Sequence, residues 1–176
     1  MIINQTVITK SDLEFSAKHS RKEPRIAVAL ALVALCGVLL LILGCVILYN
    51  AVSTGRSANA VTVAAAFIFG VLSVCWSVFF DKFSVMRASK LPSIKAPRSY
   101  EFLDDCVLCR ISLNGIEGEE RYAYSIMDKY FEQNNAVYIR LNVDNRQRFL
   151  AVHNDTYSEG SAEELKSLLE SHGVHK

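Results

Sequence analysis

Two uncharged apolar runs, residues 26–49 and 60–80, interrupt a chain that is otherwise polar or alternating. At 1.5 Å per residue, a helix of about 20 residues spans a hydrocarbon layer roughly 30 Å thick. Neither run holds a side chain that such a layer rejects. The pattern predicts a two-helix membrane hairpin with residues 50–59 as its external loop. Pro24 suits the first turn of the leading helix, where its missing N–H has no intrahelical partner. Tyr49 suits the far interface, and Asn50, Ser53, Thr54 and Gly55 read as a short turn.

Beyond residue 97 the period shortens. Tyr100, Glu101 and Phe102 alternate, Asp104-Asp105 turns, and residues 106–113 are strand-like. Asn114-Gly115 is a strong hairpin signal, because both residues tolerate positive φ. Residues 122–127 and 136–141 are further strand candidates, separated by the turn Gln133-Asn134-Asn135, and Asp144-Asn145 turns into a strand over 148–152. Ser161 and Glu164 form a capping box ahead of Leu165, Leu168 and Leu169, which predicts a terminal helix with one apolar face. About five strands and one helix predict a small α+β module over 98–176.

Charge sharpens this division. The whole chain is 51% hydrophobic with a net charge of +1, but these values average over unlike segments. Residues 1–25 hold five Lys/Arg against three Asp/Glu, and residues 81–97 hold four against Asp81 alone. Residues 98–176 hold nine Lys/Arg against fourteen Asp/Glu, so the module is acidic. Flanking the runs are Lys10, Lys18, Arg21, Lys22 and Arg25 before the first and Lys82, Arg87, Lys90, Lys95 and Arg98 after the second, with Arg56 alone between. The positive-inside rule then places both termini in the cytoplasm of a multi-pass inner (plasma) membrane protein. Arg21, Lys22, Arg25, Lys82, Arg87, Lys90, Lys95 and Arg98 are expected at the membrane surface, each attracted to anionic lipid by up to about 1 kcal/mol. A cleaved signal peptide is disfavoured, since the first run begins after some 25 polar residues and lacks a small-residue cleavage pattern.

Five cysteines are an odd number, which argues against a closed disulfide framework; Cys36, Cys45 and Cys75 lie in the apolar runs and Cys106 and Cys109 in the module. The sequons at Asn4 and Asn154 are chance matches in this topology. Within the second run, Thr62, Ala66, Gly70, Ser73 and Ser77 make one helical face of small residues. Such a face lets another backbone come close, which matters where packing rather than water expulsion drives association. Its expected partner is the first run, through Ala34, Gly37 and Gly44, with a homodimer as the alternative. Neither run carries an ionisable residue, and two helices cannot enclose a pore, so channel or pump function is not expected.

The order of motifs resembles one family. Tyr100-Glu101-Phe102 with Asp104-Asp105, Tyr124-Ser125-Ile126 leading to Tyr130-Phe131-Glu132, and Val137-Tyr138-Ile139-Arg140-Leu141 look like the bacterial YcxB-like proteins. So do the ending from Tyr157 to Leu165 and the opening from Val7 to Phe15, so the resemblance covers nearly the whole chain. It implies an N-terminal strand and helix, two membrane spans and a C-terminal domain similar to a pleckstrin-homology (PH) fold. It brings no catalytic residues. It also implies that residues 2–8, whose alternation is strand-like, add to the C-terminal sheet, with Thr9 and Asp12 capping a short helix over 11–20.

Candidate chemistry is sparse. Cys106 and Cys109 have C-x-x-C spacing, but on a strand they point to opposite faces and no second pair completes four ligands, so core packing of one thiol is expected. His172 and His175 read as a solvated tail, and Asp104-Asp105 and Glu119-Glu120 as solvated acidic pairs. No nucleotide loop, zinc-protease helix or nucleophile elbow is present. No enzyme, cofactor, metal site or nucleic-acid partner is expected. Arg140, Arg146 and Arg148 would form a lipid-binding patch if the last two strands pair. The sequence is therefore read as a membrane protein displaying a PH-like module that docks an unidentified cytosolic or membrane protein through a sheet edge or the groove beside the final helix. The alternative is an anionic-lipid-sensing or membrane-organising module.

Overall fold

A computed structural model describes residues 1–55, 57, 59–113, 115–143 and 146–176, with the backbone alone for Arg146. Arg56, Asn114, Asp144 and Asn145 lie outside the described residues, so the expectations placed on them rest there. The chain forms strand β1 (Ile2–Thr6), helix α1 (Lys10–Arg21), the long helices α2 (Pro24–Thr54) and α3 (Ala60–Ala88), and strand β2 (Arg98–Phe102). It continues through β3 (Cys106–Leu113), β4 (Ile116–Ala123), β5 (Met127–Gln133), β6 (Ala136–Val143), β7 (Arg146–His153) and β8 (Tyr157–Glu159) to helix α4 (Ala162–Ser171). It divides into two compact units, Lys18–Ser84 and a β-rich unit made of Met1–Ala17 with Val85–Lys176.

In the helical unit α2 and α3 pack along one seam. Pro24 opens α2, and Gly55 closes it in the left-handed conformation at φ 63°, with its N–H returned to Ala51 and Val52 carbonyls. Residues 50–54, expected as a turn, are helical, because the Ser53 and Thr54 hydroxyls bond back to the Asn50 carbonyl and nothing before Gly55 stops the helix. The closest approach is glycine to glycine. A Cβ on Gly37 would lie 2.9 Å from the Gly70 carbonyl oxygen, and one on Gly70 would lie 2.8 Å from Leu41. Over residues 60–84 the buried positions of α3 are Val63, Ala66, Gly70 and Ser77; Thr62 is exposed, which corrects its placement on the small-residue face. The reason is rotational: seven residues turn a helix almost back to its starting direction, whereas eight overshoot by about 80°. Val63, Gly70 and Ser77 therefore align, and Thr62 points away.

The β-rich unit packs two antiparallel sheets face to face. One has the order β4-β3-β2-β1-β8 and the other β5-β6-β7. The N-terminal strand lies inside the first sheet, pairing with β2 from Ile2↔Phe102 to Thr6↔Arg98 and with β8 at Ile3↔Glu159. Residues 98–176 are thus not a complete module; the lane between β2 and β8 is filled from the other end of the chain. Between the sheets lie Tyr100, Phe102, Val107 and Cys109 from one side and Val137, Ile139, Leu141, Leu150 and Val152 from the other, closed by Leu165 and Leu169 of α4. On the opposite face of the second sheet, Phe15 of α1 packs in a separate cluster with Ala136, Tyr138 and Ala151. Buried on both faces over most of its length, β6 is a near-continuous apolar strand, AVYIRLNV.

Two element predictions change. Residues 122–127 are not a strand: they end β4, form a 3-10 turn at Tyr124–Ile126 and open β5. β4 itself escapes a hydrophobic-pattern reading because it is exposed at every position but Tyr122. Turn chemistry transfers well, since Asn134 and Asn135 take φ 53° and 58° between β5 and β6.

Candidate functional site

The outer edge of β4 is an open edge of the module. β4 pairs along its full length with β3, from Cys106↔Ala123 to Leu113↔Ile116, and no described strand pairs on its other side. Its register places Glu117, Glu119 and Arg121 on the outer face of the sheet and Ile116, Gly118, Glu120 and Tyr122 on the inner one. Arg110 of β3 reaches Glu119 at 3.3 Å and Glu101 of β2 at 3.0 Å, and Arg121 reaches Glu119 at 3.2 Å, so the outer face carries an alternating charge ladder. Glu120 accepts the Tyr122 hydroxyl, and burial followed by that carboxylate raises the Tyr122 pKa. Ile116 is 74% exposed. The edge therefore offers free backbone groups, three glutamates and one solvated aliphatic side chain.

β7, also eight residues long, ends the second sheet with no described strand on its outer side, whereas β8 and β5 are shorter or occupied. β8 has only three residues. β5, which runs beside α4, gives the Tyr130 N–H to the His175 carbonyl at 2.9 Å, and Lys129 bridges to His175. Val174 is fully buried, Lys176 bonds Glu132 at 3.0 Å, and His172 stacks on Tyr124 with ring centroids 4.1 Å apart. Residues 172–176 are thus an anchored segment and not a free tail, held by the buried Val174, while His172 and His175 are themselves exposed. Tyr130 donates to Glu170 of α4 at 2.7 Å, and that acceptor, then burial, pushes its pKa up to about 12.

A second polar constellation fixes α1 to the module. Asp12, 3% exposed, accepts the Thr9 N–H at 2.7 Å, the Thr9 hydroxyl at 2.8 Å and the Tyr138 hydroxyl at 2.7 Å, and meets His153 Nε2 at 3.0 Å. Burial pushes its carboxyl up, but the Thr9 amide, the two hydroxyls and His153 together outweigh burial and hold it below the ordinary value of 3.8. Phe15, one turn on, stacks on Tyr138 with centroids 3.8 Å apart. Asn4, fully buried in β1, donates to the His153 carbonyl at 2.8 Å and accepts from Thr156 at 3.2 Å, tying β1 to the same corner. Sequence reasoning found the Thr9–Asp12 cap and missed its partners, because Tyr138 and His153 are 126 and 141 residues away.

The predicted basic residues separate into groups. Lys22, Arg25, Lys82, Arg87, Lys90 and Lys95 are exposed, with Lys82 Nζ 5.5 Å from the Phe79 ring centre. Arg21 is partly covered and bonds to α3 at the Ser77 and Val78 carbonyls and Asp81. Arg98 is not a free surface cation: it lies half-buried in β2 opposite Thr6 and donates to the Ser93 carbonyl at 3.3 Å. Of the expected patch of Arg140, Arg146 and Arg148, the Arg146 side chain lies outside the described residues, and Arg140 and Arg148 are not brought together. β6 and β7 pair as required, but with Arg140↔Phe149 and Leu141↔Arg148, so Arg140 and Arg148 point to opposite faces. Arg140 is also held by both oxygens of Asp128. Cys109 is buried in the core, where burial pushes its thiol up to about 11, and Cys106 is half-buried; both are free thiols.

Comparison of the chain with protein-family models, curated proteins and solved structures finds no match.

Proposed function

We propose that this is an integral membrane protein that crosses the bilayer twice and displays a PH-like module to the cytosol as a docking platform for a protein partner. The observation that carries the docking reading is the edge of β4, eight residues long, exposed, and bonded on one side only. A free edge recruits an extended segment through its backbone, and flanking side chains select which segment. Glu117, Glu119 and Glu120 favour a partner strand carrying lysine or arginine and disfavour a second copy of β4, whose glutamates would face these.

The membrane reading rests on exposure as well as length. Of the most apolar stretch of α2 only 6% is buried, and of α3 22%. A core helix of a soluble protein hides its apolar surface; Leu32, Leu35, Leu39, Ile42, Phe69 and Leu72 are all at least half exposed. Trp76, Phe79 and Phe83 near the Lys82 end and Tyr49 near the other suit interfacial belts. Because residues on both sides of the hairpin build one sheet, an even number of crossings is required, and basic flanks favour cytoplasmic termini. The motif order that resembles the YcxB-like proteins supports the same arrangement.

Two experiments test the reading. Reporter fusions at Gly55 and after Lys176 should report opposite sides of the membrane, with Lys176 inside; the same side for both ends the topology. A photocrosslinker at Glu117 in intact membranes should trap protein adducts that the same group at Glu163 on α4 does not. Indistinguishable adducts from the two positions would remove β4 as the contact.

A further inference from the structure

A row of paired residues marks one end of the first sheet, where Thr6 of β1, Arg98 of β2, Ile111 of β3 and Gly118 of β4 stand side by side. Ile2, Phe102, Val107 and Tyr122 mark the other end. Both connections toward the long helices leave from the first. β1 reaches α1 through residues 7–9, and β2 receives the chain from α3 through residues 89–97, whose Ser93 carbonyl accepts from Arg98 at 3.3 Å. Among the described residues of 1–17 and 89–176, the exposed large apolar side chains are Met1, Val7, Leu91 and Ile116. All but Met1 belong to this end. Val7 follows Thr6 directly, Leu91 stands two residues before Ser93, and Ile116, 74% exposed, opens β4 opposite Leu113, just beyond the row. A cavity of about 420 Å³ lined by Val7, Pro97, Ile111 and Glu117, among others, gathers these segments around one surface. Arg110 at its wall is taken up by Glu101 and Glu119, so the exposed Lys90 and Lys95 of the linker outweigh Glu117.

We propose that this end of the first sheet rests on the surface of an anionic bilayer, with Val7 and Ile116 reaching the acyl boundary and Lys90 and Lys95 on the headgroups. The inference rests on the membrane reading above, in which the chain on both sides of the hairpin returns to the cytoplasmic surface. Aliphatic side chains mixed with lysines match an interface that is itself part hydrocarbon and part negative charge. β4 then rises away from the lipid. Seven residues separate Ile116 from Ala123, which at about 3.3 Å each carries the far end of the strand up to about 23 Å from the surface. The free edge of β4 is thereby presented to the cytosol instead of being laid flat on the lipid.

Tryptophan quenching in nanodiscs tests this seating, because Trp76 is the chain's only tryptophan. In the full chain carrying Trp76→Phe, a single tryptophan is placed by Ile116→Trp or by Ala123→Trp, both at exposed positions. The nanodiscs hold phosphatidylglycerol and a phosphatidylcholine with a nitroxide on its headgroup. Quenching of Ile116→Trp should exceed that of Ala123→Trp several-fold, with Val7→Trp close to Ile116→Trp, and should fall when phosphatidylcholine replaces phosphatidylglycerol. Equal quenching of Ile116→Trp and Ala123→Trp, or quenching of Ile116→Trp that is unchanged in phosphatidylcholine alone, overturns the proposal. The unaltered chain separates the two levels of failure. Trp76 left unquenched by lipids brominated in their acyl chains defeats the membrane reading; Trp76 quenched, with Ile116→Trp and Ala123→Trp alike, defeats the seating of the sheet alone.

Discussion

At Asp12 a single carboxylate gathers four contacts from three residues, with only 3% of the residue left to solvent. Removing it leaves Tyr138 and the Thr9 amide without their acceptor, so Asp12→Ala should cost about 2–4 kcal/mol, with most of the loss in the docking of α1. Chemical denaturation of the full chain in detergent measures this, and a cost below about 0.5 kcal/mol would show that the cluster contributes little. The carboxylate also sets a pH dependence. Its folded pKa lies below the ordinary 3.8, so between the two values the unfolded chain binds more protons than the folded one. The stabilisation is therefore complete above pH 3.8 and is lost as pH falls through the lower, folded value. The stability difference between wild type and Asp12→Asn should accordingly shrink on acidification below pH 3.8.

At the scale of elements, two contacts carry opposite lessons about packing. Gly37 and Gly70 let α2 and α3 touch backbone to backbone, and a Cβ at Gly37 meets the Gly70 carbonyl, Ser73 and Val74 at 2.9–3.0 Å. Gly37→Val should therefore force the helices apart at a cost of about 1–3 kcal/mol, seen as loss of crosslinking between Ala34→Cys and Ser73→Cys. Unchanged crosslinking would place the seam elsewhere. β4 is governed by what must stay apart. Glutamates along a long free edge disfavour its pairing with a second copy, so replacing Glu117, Glu119 and Glu120 by valine should raise concentration-dependent oligomerisation by light scattering. These two elements also mark how far the sequence could be read. The two long apolar helices, the Asn134-Asn135 turn and the Ser161 cap are written in local residue chemistry and appear where expected, the last with Glu164 N–H 3.2 Å from Ser161 Oγ. Thr62 was misplaced because a spacing of four repeated twice drifts off a 3.6-residue face. β4 was missed because an edge strand wet on both faces has no alternation to show. The Arg140 and Arg148 patch failed on register, which depends on the pairing partner and not on either strand alone.

Across the whole molecule, the two long helices are inserted in sequence between two strands that pair in one sheet. β1 and β2 are neighbours, Ile2 opposite Phe102 and Thr6 opposite Arg98, although the two long helices separate them in sequence. β1 is bonded on both sides, Ile2 and Asn4 are buried at 5% and 0%, and Gly160 approaches Ile2 so closely that an added Cβ would lie 3.0 Å from its side chain. A chain of residues 98–176 would lack an interior strand, exposing Tyr100, Phe102 and the unpaired backbone of β2 and β8. It would also lose Phe15 and Asp12 from the back of β6. A domain of about 80 residues has little buried surface to spare, so this fragment should be molten or aggregated, with poor amide dispersion and no cooperative melt. Joining residues 1–17 to 85–176 through a flexible linker should restore both, because the linker replaces only the helical unit and every strand is present. Amide spectra and thermal melts of the two chains distinguish the outcomes. A cooperative, well-dispersed 98–176 would show that β1 is an accessory strand; a featureless linked chain would show that the hairpin is itself required for the sheet to form.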